Sequence, residues 1–153
     1  MLDELAEGYT VERREIKESL GPEQALVRVV RLVPRTPVAA PVAIAFTELP
    51  GLLVRLGRWW VDAMPRSRAD DPADLVVQLR CRIDAVIEGG LWERAHRGFG
   101  IPRFQARLIG DEVDEAREGL LTPRQARDAR RGGFAGAVQW APWPIRPAMS
   151  TEA

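Results

Sequence analysis

The chain has 153 residues, enough for one domain with a hydrophobic core, and its 22 basic residues balance 22 acidic ones. This balance argues against a strongly basic nucleic-acid binder or an acidic tail protein. The start MLDELAEGY lacks the features of a signal peptide, no apolar run has membrane-spanning length, and the single Cys81 excludes an internal disulfide, so we expect a cytoplasmic protein.

We expect a single domain over residues 1–153, with residues 145–153 forming a flexible tail. Lys17 is the single lysine, so 21 of the 22 basic residues are arginine. Arginine suits the recognition of carboxylates and phosphates. Codon bias in a GC-rich genome would give the same composition without any functional meaning.

The first part of the chain predicts a short helix over residues 2–8, ending at Gly8. Residues 9–16 are charged and alternate weakly, which suits an edge strand. Residues 26–33 predict a buried strand with apolar side chains on both faces, because Arg28 and Arg31 are its only interruptions.

The middle of the chain predicts a meander of short antiparallel strands. Residues 42–47 alternate clearly, and Pro50-Gly51 suits a tight turn into a return strand over 52–56. Gly57-Arg58 predicts a second turn, leading into a strand over 59–64.

The main predicted helix begins at Asp71-Pro72, where an aspartate can cap and a proline suits the first helical position. It ends at Gly89-Gly90. Its apolar side chains recur at helical spacing: Val76, Leu79, Ile83, Val86 and Ile87.

Three shorter elements are predicted beyond the main helix. Residues 104–109 predict a strand, and Thr122-Pro123-Arg124-Gln125 matches a capping box that opens a helix ending at Gly132-Gly133. Residues 137–140 predict a last strand. The fold class is therefore α+β: an antiparallel β-meander sheet with one main helix and short flanking helices packed on one face.

Catalytic signatures are missing from the sequence. His96 is the single histidine and lies in the polar stretch ERAHRG, which predicts a solvated position, while Cys81 lies among helical apolar residues and predicts packing rather than catalysis. Neither a glycine-rich phosphate loop nor a nucleophile elbow is present. We assign no catalytic, cofactor-binding or metal-ligating residue, and we expect no cofactor and favour a protein that is not an enzyme.

A carboxylate cluster precedes an arginine row near the end of the chain. The carboxylates are those of Asp111, Glu112, Asp114, Glu115 and Glu118. The arginines are Arg124, Arg127 and Arg131, spaced to share one helical face. Two solvated surfaces that neutralise each other explain this pattern, and the alternative is an arginine face for an anionic partner.

Tryptophans are the other candidates for a binding surface. Trp59 and Trp60 are neighbours in a predicted strand and should point to opposite faces, while Trp143 lies between two prolines in the sequence QWAPWP. Aromatic residues beside prolines suit protein contacts, but a C-terminal tryptophan can equally seal a sheet edge. The candidate partner surface comprises Trp60, Trp143, Arg124, Arg127 and Arg131.

The stretch VRVVRLVPRTPVAAPVAIAFTELPGLLVRLGRWWVDAMP, the helix end at 86–89 and the closing WAPWP resemble an uncharacterised family common in actinobacteria, domain-of-unknown-function family 6226. The resemblance covers most of the chain. It implies one fold unit and supplies no established activity.

The resemblance also implies a departure from the family. Members often carry a C-x-C-D-x-C cluster after the proline that ends the meander, and such a cluster could bind zinc or form a redox site. Here residues 65–72 read PRSRADDP and contain no thiol, although the aspartate persists as Asp70. No metal residue is therefore carried over.

Two functional hypotheses follow. The first is a non-enzymatic binding or protein-interaction module, whose partner is an unknown protein or a second copy of the chain. The alternative is a small enzyme acting on an anionic small molecule, which requires Asp70, Asp111 or His96 to converge with arginines in a pocket. The balanced charge argues against a nucleic-acid partner, and we expect no membrane partner.

Overall fold

A computed structural model describes residues 1–19, 26–46, 51–65, 72–131 and 137–146. Within these ranges the chain forms three helices and nine strands. In chain order they are α1 (Leu2–Gly8), β1 (Val11–Ser19), β2 (Leu26–Pro34), β3 (Val42–Phe46), β4 (Gly51–Leu56), β5 (Trp60–Pro65), α2 (Pro72–Ile87), β6 (Leu91–Gly98), β7 (Ile101–Gly110), β8 (Val113–Leu120), α3 (Pro123–Arg131) and β9 (Val138–Gln139).

The first sheet is the predicted meander, with strands in the antiparallel order β1-β2-β3-β4-β5. Its inner face carries large aliphatic side chains in register, since Val30 pairs with Ile44 and Ile44 pairs with Val54. All three are buried, and β-branched residues favour this half-buried, pleated geometry. The predicted α+β class and the meander are confirmed.

A second antiparallel sheet, in the order β8-β7-β6-β9, corrects the prediction of one sheet. The strands predicted over 104–109 and 137–140 are present as β7 and β9, but β6 and β8 were missed. Their charged side chains hide the alternation: Leu91, Glu93 and Ala95 are buried along β6, whereas Val113 is the single buried residue described in β8. A polar sequence can form a strand when its partners supply the apolar contacts.

Helix α2 joins the two sheets through a common core. Leu79, Ile83 and Val86 are buried in a cluster with residues of the first sheet and of β6, β7 and β8. The prediction was wrong for Val76, which is 52 % exposed. The predicted features at Pro50, at Asp70-Asp71 and at Gly132-Gly133 lie outside the described residues.

A charged network also connects the elements. Asp62 of β5 lies 3.8 Å from Arg82 of α2 and 3.2 Å from Arg117 of β8, and Arg82 forms a 2.7 Å ion pair with Glu115. Because Asp62 and Arg82 are mostly buried, each charge needs the others to offset its desolvation. The network thus links the first sheet, the main helix and the second sheet.

The segment after β9 packs back onto the start of the chain. Tyr9 forms a bridge with Ile145, and the backbone N–H of Arg146 donates to the carbonyl oxygen of Gly8. These two residues of the predicted tail are therefore paired, and residues 147–153 lie outside the described part. None of the described helices has the length and hydropathy needed to cross a membrane.

Candidate functional site

A tight turn at residues 57–59 connects β4 to β5 and is built around a buried carboxylate. Gly57 adopts a φ of 63°, in the left-handed region that favours glycine. The backbone N–H groups of Trp59 and Arg58 donate to the carboxylate of Glu93 at 2.8 and 3.0 Å, and that of Trp60 donates at 3.3 Å. A Cβ on Gly57 would lie 2.5 Å from Glu93 Oε2, so the turn fits the carboxylate only without a side chain.

Glu93 is completely buried, and among the described residues it is the one buried side chain that is polar or charged. Trp140 Nε1 also donates to Oε2, at 2.7 Å. Four N–H donors and a purely accepting role suit an ionised carboxylate, and they offset the cost of removing its charge from water. Glu93 therefore fastens β6 of the second sheet to the β4-β5 turn of the first.

Sequence reasoning missed Glu93, because it lies in a stretch that appears merely polar. Two signals could have identified it. Glu93 falls between Leu91 and Ala95 on the inward face of β6, and Gly57 opens a run of consecutive N–H groups directly before two tryptophans. A run of N–H groups at a turn is a common anion-binding arrangement.

Next to this turn lies an open cleft of ≈ 790 Å³. Four arginines from four parts of the fold line it: Arg31 of β2, Arg55 of β4, Arg58 of the turn and Arg124 of α3. Asp128 is the single acidic residue among the described lining residues. We call this concavity the arginine cleft, and its positive charge excess makes it the strongest candidate site.

Helix α3 forms one wall of the arginine cleft, and its predicted capping box is confirmed. The backbone N–H of Gln125 donates to Thr122 Oγ1 at 3.2 Å, and that of Thr122 donates to Gln125 Oε1 at 2.9 Å. Ala126 and Ala129 are buried in a small cluster with Trp59. The small alanines bring the helix close to the turn.

Arg58 is held in place by an aromatic ring. Its guanidinium lies 5.3 Å from the ring centroid of Trp140, a distance at which cation–π attraction is significant. Because Trp140 also donates to Glu93, the buried carboxylate, the ring and the arginine form one connected unit at the edge of the cleft.

The tryptophans of the candidate partner surface are buried, which corrects that part of the prediction. Trp60 has no exposed surface and Trp143 is 3 % exposed. Trp143 Nε1 donates to the carbonyl oxygen of Ala40 at 2.8 Å, and its ring meets the ring of Tyr9 edge-on. Both side chains pack in the core, as expected of tryptophans that seal a sheet.

Trp59 lies in the turn, where the sequence had predicted strand. It is nevertheless buried in a different cluster from Trp60, so the two neighbours do fill separate parts of the core. On α3, Arg124, Arg127 and Arg131 are all exposed, and Arg124 lines the arginine cleft. Their role as a partner surface stays a prediction.

A second concavity, of ≈ 730 Å³, lies beside α2 and carries the opposite charge. We call it the acidic depression. Its ionisable side chains include four carboxylates and one arginine: Asp84, Glu88, Asp111, Glu112 and Arg80. Asp111 and Arg80 share this depression, whereas His96 lines neither it nor the arginine cleft. Of the three groups named for the enzyme alternative, Asp111 shares a concavity with one arginine, His96 lines neither concavity, and Asp70 lies outside the described residues.

Cys81 is half-buried and packs against the main core, as the sequence predicted, and it also lines the acidic depression. Its Sγ donates to Glu112 Oε2 at 3.0 Å. This hydrogen bond, followed by burial and the Glu112 charge, raises the pKa of the Cys81 thiol above its ordinary value. The thiol is thus a weaker nucleophile near neutral pH.

Metal-ligating side chains do not gather at any one place in the described chain, since no group of three or more His, Cys, Asp or Glu is suitably arranged. His96 is half-buried in β6 instead of solvated, and its Nδ1 has no hydrogen-bond partner there.

Comparison with known proteins identifies a family whose function is unknown. No curated protein and no solved structure matches the chain. A family model does match, over residues 1–147. The chain belongs to that family, a family of unknown function designated DUF6226.

Proposed function

We propose that the chain is a cytoplasmic binding module that holds an anionic ligand in the arginine cleft and performs no catalysis. The observation that carries the proposal is the convergence of four arginines, each from a different part of the fold, on one concavity with a single described acidic residue. Arg31, the Arg55–Arg58 segment and Arg124 are far apart in sequence and gather only because the fold brings them together. A planar guanidinium matches carboxylate and phosphate geometry, so the cleft selects for such groups.

The buried carboxylate beneath the cleft supports this proposal. Glu93 is satisfied by backbone N–H groups and an indole N–H, so these donors, not the arginines, offset its charge. Arg31 and Arg55 also make contacts within the protein, and a ligand would add to those contacts. Positive charge in a concave site strengthens attraction to an anion because the walls reduce solvent screening.

The lining favours binding over catalysis. Among its described residues there is no histidine, cysteine or lysine, and the Thr122 hydroxyl accepts the N–H of Gln125. The arginines can orient an anion, and among the described lining residues only the Asp128 carboxylate could act as a general base.

Calorimetric titration with pyrophosphate and citrate tests the proposal. The informative variant is Arg124→Gln, which removes a cleft charge, and Arg127→Gln is its matched control on the exposed face of the same helix. Glutamine keeps the helix propensity of arginine. We expect Arg124→Gln to weaken binding about tenfold, and the wild-type affinity to fall when salt rises from about 20 to about 200 mM.

Two results would overturn this function. One is the absence of heat and of thermal stabilisation with both anions at low salt. The other is an equal loss of affinity in Arg124→Gln and Arg127→Gln, which would indicate nonspecific attraction to the helix surface.

A further inference from the structure

The outer face of the first sheet carries a second, apolar concavity that adjoins the arginine cleft. Its volume is ≈ 180 Å³, and its lining includes Val29, Ala43, Ala45, Leu53 and Val61. The described lining of this concavity has no acidic side chain. We call it the apolar trough.

The small side chains of β3 create the trough. Ala45 lies in register between Val29 of β2 and Leu53 of β4. Neighbouring strands lie about 4.8 Å apart, so two larger side chains flank each alanine at close range. Ala45 thus forms a low floor between two apolar walls.

The trough leads into the arginine cleft through two shared residues. Ala43 lies in register between Arg31 and Arg55, and both arginines line the trough and the cleft. Pro41, which precedes β3, lines the cleft itself. At about 3.4 Å per residue, the path along β3 from Ala45 to Pro41 is about 14 Å long.

We propose that the ligand of the arginine cleft is an amphipathic anion, whose carboxylate or phosphate head lies among the arginines and whose short aliphatic chain lies in the apolar trough. This inference rests on the proposed function and names its ligand class. The volume limits the chain to roughly six carbons, taking about 30 Å³ for a group of the size of a water molecule. A positive cleft that continues into an apolar floor complements such a molecule in both charge and polarity.

The test compares ligands with and without the chain. Calorimetric titrations use hexanoate against acetate, and hexyl phosphate against inorganic phosphate, which separates the two head groups. We expect each alkyl compound to bind about tenfold more tightly than its parent, because burying methylene groups is favourable even in an open trough. Dodecanoate should gain no more than about twofold over hexanoate, since the trough ends.

The matched variants are Ala43→Val and Ala63→Val. The first fills the floor between the arginines, and the second makes the same change at an exposed position on the outer face of β5, outside the trough. Valine suits both strand positions. We expect Ala43→Val to remove the gain of the hexyl compounds over acetate and phosphate, with each ratio of affinities measured within the same variant, while Ala63→Val retains that gain.

The outcomes separate this inference from the proposed function. If pyrophosphate binding depends on Arg124 but the hexyl chain adds nothing, the amphipathic ligand is wrong and the anion-binding module stands. Affinity that keeps rising to dodecanoate, or a gain that survives Ala43→Val, also overturns the inference. If no anion binds at all, both proposals fall.

Discussion

The arginine cleft and the acidic depression are similar in volume, at ≈ 790 and ≈ 730 Å³, and opposite in charge. Four arginines face one aspartate in the first, whereas four carboxylates face one arginine side chain in the second. The chain as a whole is neutral, with 22 charges of each sign. Balanced composition therefore conceals a separation of charge that only the fold produces.

The two concavities also differ in how their charges are partnered. In the acidic depression, Arg80 donates to Asp84 at 2.8 Å and Cys81 donates to Glu112, so part of the acidic charge is already offset by neighbours. In the arginine cleft, the adjacent carboxylate of Glu93 is held by N–H groups. Backbone donors can thus hold a buried acid next to a group of arginines.

Glu93→Ala should have the largest effect, because it removes the carboxylate that holds β6 to the β4-β5 turn beside the arginine cleft. Four N–H groups would lose their acceptor, and we expect a loss of about 3–5 kcal/mol in the free energy of unfolding. Urea denaturation measures it. Glu118→Ala, at an exposed position of β8, is the control and should cost less than about 0.5 kcal/mol.

Glu93→Gln is a milder change that also tests the contribution of the Glu93 carboxylate to stability. The amide retains one acceptor oxygen, so we expect a smaller loss of about 1–3 kcal/mol. Equal stabilities of Glu93→Gln and the wild type would contradict the role given to the ionised carboxylate.

Gly57→Ala should have the next largest effect and separates backbone strain from steric clash. The new Cβ would meet Glu93 Oε2, while Gly100, with a φ of 78°, has nothing within 4 Å of such a Cβ. Positive φ alone costs about 1–2 kcal/mol, so we expect that loss for Gly100→Ala and about 3 kcal/mol for Gly57→Ala. Matching losses in thermal or urea unfolding would show that the carboxylate does not lie against the turn in solution.

Local sequence patterns predicted the elements whose apolar side chains repeat clearly. The meander and α2 belong to this group, because Ile44, Leu79 and Ile83 lie at the expected periods and are buried. Strand β8 does not, since Val113 is the single buried residue described in it and its own sequence is charged. Periodicity reports the face a segment buries, so it fails where little of the segment is buried.

The site was less predictable than the fold for a related reason. Arg31 appeared as an interruption of a strand, and nothing near it in sequence indicates Arg55 or Arg124. Their convergence depends on register between β2, β3 and β4 and on the position of α3. Trp60 and Trp143 were predicted to contact a partner, but a large aromatic side chain predicts burial better than it predicts contact with a partner.

Thr122→Ala should have a moderate effect on stability, and it tests whether the capped start of α3 positions Arg124 in the arginine cleft. Loss of the cap hydrogen bond to the Gln125 N–H should cost about 1 kcal/mol in unfolding free energy. Because the first turn of α3 carries Arg124, we also expect weaker pyrophosphate binding in calorimetry. Thr36→Ala, outside the described cleft lining, should leave binding unchanged, and a Thr122→Ala protein with normal affinity would show that the cap does not position Arg124.

The smallest expected effect tests the acidic depression. The Glu112 carboxylate, by accepting from Sγ, raises the pKa of the Cys81 thiol, so fewer molecules carry the reactive thiolate at a given pH. Glu112→Gln removes that charge and lowers the pKa, and alkylation by iodoacetamide at about pH 8 should become a few times faster. Glu118→Gln is the matched control and should not change the rate.

The same Glu112→Gln protein should bind pyrophosphate as the wild type does, because the change lies in the depression and leaves the arginine cleft intact. An altered pyrophosphate affinity would mean that the charges of the acidic depression influence anion binding in the arginine cleft through long-range electrostatics.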